Sequence, residues 1–95
     1  MEIEIIKEYI PEDNKFSSDP ECLKYAGILP EGYKRVGKCS NELALLAKKT
    51  LIKAWGTIVE VKEGYKYYLL RVEPHYHFKQ GKNGFHKGCT IYIKT

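Results

Sequence analysis

The chain lacks the features of a membrane-spanning, secreted or disulfide-stabilised protein. No apolar run approaches the ~20 residues needed to cross a bilayer, and the start Met1-Glu2-Ile3-Glu4 predicts no signal peptide. The three cysteines, Cys22, Cys39 and Cys89, are odd in number and have no Cys-x-x-Cys spacing. We therefore expect reduced thiols in a cytoplasmic protein, and neither a disulfide framework nor a zinc knuckle.

The familiar catalytic motifs are absent as well. The sequence has no Gly-rich phosphate loop, no His-Glu-x-x-His, no paired-carboxylate motif and no serine or cysteine nucleophile signature. It also has no internal repeat and no low-complexity segment. On this basis we expect no cofactor.

Length and charge are informative where motifs are not. The 95 residues, 43% of them hydrophobic, predict one domain, 1–95, with a small core. The net charge of +4 is unevenly distributed, because residues 1–31 carry −5 and residues 32–95 carry +9. The basic part favours a phosphate-bearing partner. The alternative is a lysine-rich surface that only keeps the protein soluble.

Apolar periodicity predicts an α+β fold with one main helix. Glu2 to Tyr9 alternates as a strand, Glu21–Ala26 follows Pro20 as a short helix, and Ile28–Lys38 is expected to be an ordered basic loop. Asn41–Ala54 has Ser40 as N-cap and Gly56 beyond its end. Its expected buried stripe, which Leu45 and Ile52 widen, is Leu43, Leu46, Ala47, Thr50, Leu51 and Ala54.

The second half predicts two hairpins. Thr57–Lys62 and a strand from Tyr65 onward flank a turn at Glu63-Gly64, and Asn83-Gly84 is the stronger turn signal. A turn at Asn83-Gly84 places Phe78 opposite Cys89, His77 opposite Thr90 and His75 opposite Tyr92. Pro74 cannot donate to a ladder, so a bend, a bulge or a sheet edge is expected there. The whole is an antiparallel sheet of about four strands with the helix on one face.

Side-chain alternation divides the long strand into two faces. Even positions from Tyr68 to Phe78 are apolar and predict the face under the helix, which Cys89 and Ile91 join. The opposite face is expected to be open and to bind nucleic acid or a nucleotide, because aromatic rings stack on bases and cations neutralise phosphates. The predicted ligand-binding residues are Tyr65, Tyr67, Arg71, His75, Lys87, Thr90 and Tyr92.

The histidines suggest a second hypothesis, a metal-independent ribonuclease. Attack by a 2′-hydroxyl needs a base, an acid and a cation, and histidine suits the first two roles at neutral pH. The predicted catalytic residues are His77, His86 and Lys79. Their spacing is unfavourable, since the predicted register separates His77 from His86 by about 13 Å along the ladder.

Three further interpretations stay open. Glu73, His75 and His77 alternate on one strand and form a possible divalent-metal site if Pro74 bends the strand. The histidines alternatively form a polar sheet face without a ligand. The protein is alternatively a small inhibitor or adaptor that binds another protein, such as those that mobile elements use against host defence.

Overall fold

The computed structural model describes residues 2–11, 29–79 and 82–95, and in 74–79 and 82–87 it describes the backbone alone. One helix packs on an antiparallel five-stranded sheet, which confirms the predicted α+β class. The predicted short helix Glu21–Ala26 lies outside the described residues. The elements are β1 Ile3–Tyr9, β2 Tyr33–Arg35, α1 Asn41–Thr50, β3 Ile58–Glu63, β4 Lys66–Lys79 and β5 Lys82–Lys94.

The strands lie in the spatial order β1-β3-β4-β5-β2. Strand β2 is the one that the sequence did not predict, because it lies within the segment expected to be a loop. Its Arg35 pairs with Tyr92 of β5. Three residues between Gly32 and Gly37 are too few to show the alternation by which strands are recognised. Among the described residues, no helix is long and apolar enough to span a membrane.

Helix α1 begins as its sequence predicts and ends earlier. The Ser40 hydroxyl accepts a hydrogen bond from the Leu43 N–H at 3.1 Å and donates one to Glu63 Oε2 at 2.6 Å. The helix ends at Thr50, four residues before the predicted end at Ala54. Gly56, with φ of 80°, lies in the turn before β3 and does not cap the helix.

The core lies between α1 and the three central strands. Alternation in β3 and β4 buries the part of the predicted apolar face that the structure describes, Tyr68, Leu70 and Val72. The side chains of Tyr76 and Phe78 lie outside the described residues. Helix α1 contacts β4 and β5, so Leu45 and Ile52, expected to widen its buried face, are exposed instead. The central buried cluster is Leu43, Ala47, Val59, Val61, Tyr68 and Leu70, with Ile3, Val36, Leu46, Cys89, Ile91 and Ile93 packed around it.

The turns of both hairpins differ from the predicted positions. The β3–β4 turn is Gly64-Tyr65, one residue later than expected, with Gly64 at φ of 64°. The Asn83-Gly84 turn is wrong, because both residues belong to β5 and the ladder closes with Lys79 opposite Lys82. Gly64 supplies the positive φ that a two-residue hairpin loop needs.

The β4–β5 register changes every predicted cross-strand pair. Phe78 pairs with Asn83, His77 with Gly84 and His75 with His86. The ladder passes Pro74 without a register shift, so of the bend, bulge or sheet edge expected there the bulge is wrong. Strand β4 pairs with β3 only as far as Arg71, and Pro74 therefore lies at a described sheet edge, where a missing N–H costs no ladder bond.

Candidate functional site

A buried carboxylate organises the sheet face opposite α1. Antiparallel pairing puts Arg71 opposite Thr90 and Glu73 opposite Gly88, and side chains two residues apart share a face. Arg71, Glu73, Thr90 and Tyr92 therefore converge, and we call these four residues the Glu73 cluster. Glu73 is only 5% exposed, although it is an acid on a face that the sequence predicted to be open.

Donors from three side chains satisfy the Glu73 carboxylate. Arg71 donates to Oε2 through Nε at 2.9 Å and also through Nη2. Thr90 Oγ1 donates to Oε1 at 2.6 Å, and the Tyr92 hydroxyl donates to the same oxygen at 3.2 Å. A buried charge is tolerated when it is paired and hydrogen-bonded in this way. The cluster thus holds Arg71 in one place at the surface.

Tyr92 is the member of the cluster whose position departs most from expectation. It was predicted to be an exposed binding residue, and its side chain is fully buried. The Arg71 guanidinium lies 5.7 Å from its ring centroid. Burial raises the pKa of the Tyr92 hydroxyl above its usual value, and the nearby Glu73 carboxylate raises it further. The hydroxyl therefore stays protonated and remains a donor.

Two predicted binding residues remain accessible near the β3–β4 turn. Tyr65 lies in the turn and is 83% exposed, and Tyr67 is 42% exposed. The ammonium groups of Lys62 and Lys94 lie 5.7 and 6.0 Å from the Tyr67 ring centroid. We call Tyr67, Lys62 and Lys94 the Tyr67 platform. It combines an accessible aromatic ring with two cations on neighbouring strands.

The charge of this face is moderately positive. Cross-strand pairing adds Lys7 and Arg35 to the same face, and it adds two carboxylates, Glu4 and Glu60. Glu60 lies near Tyr33, whose pKa is raised by burial first and by that carboxylate second. Glu73 is already paired with Arg71. Among the described side chains, bases therefore outnumber the remaining acids around the Tyr67 platform.

The predicted catalytic residues and Lys87 occupy a two-stranded ribbon that continues from the Glu73 cluster. Their backbone positions pair His75 with His86, His77 with Gly84 and Lys79 with Lys82, while the side chains lie outside the described part of the chain. Directly paired residues in an antiparallel ladder have Cα atoms about 4.5–5.5 Å apart. The ladder thus pairs His75 directly with His86 and leaves His77 diagonal to His86, at about 7–8 Å.

The possible metal site of Glu73, His75 and His77 depends on two side chains outside the described residues. Where side chains are described, no group of three or more His, Cys, Asp or Glu is placed to hold a metal ion. The structure gives Glu73 a different environment, with Arg71 and two hydroxyl donors around it.

The central role of Glu73 was missed from sequence, although a signal for it exists. An acid and a base at i and i+2 on a strand share a face, and Arg71 and Glu73 have this spacing in a segment where they alternate with the buried Leu70 and Val72. The partners Thr90 and Tyr92 were not predictable, because they depend on the β4–β5 register. The chain matches no family model, no curated protein and no solved structure at a significant level.

Proposed function

We propose that the protein binds a phosphate-bearing ligand, with single-stranded RNA as the first candidate and a nucleotide as its smallest form. The observation that carries the proposal is the Tyr67 platform, in which a 42% exposed ring lies beside two ammonium groups. Base stacking on an aromatic ring and phosphate neutralisation by lysine are the two contacts that sequence-tolerant single-strand binding needs.

The lysines beside Tyr67 do not prevent a base from stacking on its ring. A cation–π contact at an exposed site contributes about 0.5–1 kcal/mol, whereas a base stacked on an aromatic side chain contributes about 1–3 kcal/mol. Stacking is therefore stronger than either cation–π contact taken singly. The flexible stems of Lys62 and Lys94 let their ammonium groups turn from the ring towards the phosphates that flank the base.

The Glu73 cluster supports the same surface from one side. Its salt bridge holds the Arg71 guanidinium, and the Arg71 side chain keeps 21% of its area exposed. A guanidinium held by a buried carboxylate loses little rotamer freedom when it meets a phosphate. Tyr65, Tyr67 and Arg71 all lie on β4 or its preceding turn, so they form a track along one strand.

Titration of a labelled single-stranded RNA oligonucleotide, followed by fluorescence anisotropy, tests this proposal. Tyr67→Leu keeps an apolar strand residue but removes the ring, and we expect affinity to fall about 5- to 150-fold. Replacing Lys62 and Lys94 with alanine should weaken binding and flatten the salt dependence, by about 0.7 in log–log slope for each phosphate that the variant no longer neutralises.

A matched control separates local contact from net charge. The double variant Lys48→Ala, Lys49→Ala removes the same charge from the exposed side of α1. We expect it to lose less affinity than the Lys62, Lys94 pair. Equal losses of affinity from the two double variants would mean that binding depends on the net charge of the protein and not on contacts at the Tyr67 platform. No binding at low salt, to RNA or to a nucleotide, would favour the protein inhibitor or adaptor.

The β4–β5 register favours a metal-independent ribonuclease as a second candidate. The spacing objection applied to His77 and His86, whereas the ladder pairs His75 directly with His86. Cleavage is then expected to survive EDTA, to be absent on DNA and to have a bell-shaped pH profile.

The histidine pair that carries such cleavage is testable. His75→Ala and His86→Ala should each slow RNA cleavage by about 10²–10⁴-fold, the usual size of an acid–base contribution. His77→Ala is the matched control from the same strand and should cost less, because its ladder partner is Gly84. Failure of all three variants to change a measured cleavage rate would eliminate this mechanism.

A further inference from the structure

Strand β1 presents an apolar edge at the end of the sheet. It pairs with β3 on one side, and no second neighbouring strand occurs among the described residues. Ile5 and Ile6 are 50% and 49% exposed. An edge strand with exposed isoleucines is a template for pairing with another strand, and soluble proteins usually protect such an edge with charge, proline, a β-bulge or a covering segment.

A groove runs between this edge and helix α1. It has a volume of about 260 Å³ and opens beside Ile5 and Leu45, both half exposed. Helix α1 contacts β4 and β5, so the apolar side of β1 is left beside the groove and not under the helix. Ile5 belongs both to the exposed edge and to the lining of the groove. The groove is lined by Ile3, Ile5, Glu42, Leu45, Leu46 and Lys49.

The charges of β1 indicate which partner fits this edge. The register shift between Ile5 and Lys7 puts Glu4 and Lys7 on the same sheet face, since they pair with Lys62 and Glu60 of β3. Two β1 strands can therefore pair antiparallel in a register that puts Glu4 of each copy opposite Lys7 of the other. In this register the two side chains lie on the same face of the sheet. A two-fold axis makes this opposite-charge pair twice.

We propose that β1 is a self-association edge, through which two copies of this chain pair antiparallel into one continuous sheet. The pairing joins Glu4 to Lys7 across the axis, and each copy covers the exposed Ile5 and Ile6 of the other. The proposal depends on the β1 edge alone and is independent of what the Tyr67 platform binds.

Sedimentation equilibrium over a wide concentration series tests the pairing. The wild-type mass should rise from that of the 11.0 kDa chain to twice that mass. Glu4→Lys and Lys7→Glu each turn two attractive cross-strand pairs into repulsive ones, and each should weaken self-association about ten-fold or more. A wild-type chain that stays monomeric throughout the series overturns the proposal.

A mixture of the two single variants gives the decisive result. Glu4→Lys carries two bases at these positions and Lys7→Glu carries two acids, so an equimolar mixture should form a heterodimer as tightly as the wild type pairs. Each variant also faces a like charge on its own β3, Lys62 or Glu60, and that effect is unchanged by mixing. If the mixture associates no better than either variant alone, the Glu4–Lys7 pairing is wrong, whatever the folded stability of the variants.

Discussion

Replacing Glu73 with alanine should destabilise the protein far more than the loss of an exposed charge does. The substitution leaves the Arg71 guanidinium and the Thr90 and Tyr92 hydroxyls without their shared acceptor. Removing one partner of a buried ion pair costs about 3–5 kcal/mol. Because the Arg71 side chain is 21% exposed and water recovers part of its solvation, we expect the lower end, about 3 kcal/mol.

That loss is a large part of the stability that a small domain has. Total free energies of unfolding are about 5–15 kcal/mol, and for a chain of this size 3 kcal/mol corresponds to roughly 12–24 °C in Tm. Urea denaturation followed by circular dichroism and by the fluorescence of Trp55, the single tryptophan, measures it. Glu31→Ala is the matched control, because it removes an exposed carboxylate and should change stability by less than about 0.5 kcal/mol.

Two results would refute this account of the Glu73 cluster. A loss below about 1 kcal/mol for Glu73→Ala would mean that the carboxylate is not the shared acceptor of a buried network. The double variant Arg71→Met, Glu73→Leu is the second check, because replacing both partners of a buried pair by apolar residues is often nearly neutral. A double variant as unstable as Glu73→Ala would assign the loss to packing or to the Thr90 and Tyr92 hydroxyls that lose their acceptor, and not to the broken charge pair.

Two further outcomes follow from burial. Leu43→Ala should cost about 2–5 kcal/mol, while Ile52→Ala, at an 82% exposed position, should be nearly neutral in the same urea titration; equal effects would contradict the placement of α1. Burial raises the pKa of the Cys89 thiol from 9.0 to about 11. A backbone hydrogen bond from Arg71 lowers this pKa, and the nearby Glu73 carboxylate raises it. Between pH 9.0 and about 11 the unfolded chain loses a proton that the folded chain keeps, so the free energy of unfolding should fall as pH rises. The fall should be less steep in Cys89→Ala. Equal slopes of unfolding free energy against pH in the two proteins would contradict the raised pKa.

The main helix and the division of the strands into two faces were predictable from sequence because their causes are local. Ser40 caps α1 through a bond to a residue three positions away. Leu70 and Val72 are buried, as their even positions in an alternating strand predict. Residues that the sequence placed on the helix face, such as Cys89, pack against the core. Local rules failed at the end of α1, where no proline or glycine marks the stop after Thr50.

The hairpin register was decided by tertiary packing. Asn83-Gly84 is a favourable turn pair, yet the ladder shifts the partner of Phe78 by six residues, from Cys89 to Asn83. This shift carries Ile91 and Ile93 from Tyr76 and Pro74 to Leu70 and Tyr68, beside the core under α1. Partial burial of these two isoleucines, each a fraction of the roughly 1.5–3 kcal/mol that full burial contributes, adds to the complete burial of Tyr92 between them. Together they outweigh the preference of one turn.

The same shift explains why the faces were right while the pairs were wrong. Side chains alternate with a period of two, so a slide by an even number of residues returns every residue to its face. Arg71 and Thr90 were therefore assigned to the correct side of the sheet, but only the folded ladder sets them opposite each other beside Glu73. Periodicity in the sequence determined which side each residue occupies; long-range packing of β5 against the core determined which residues meet there.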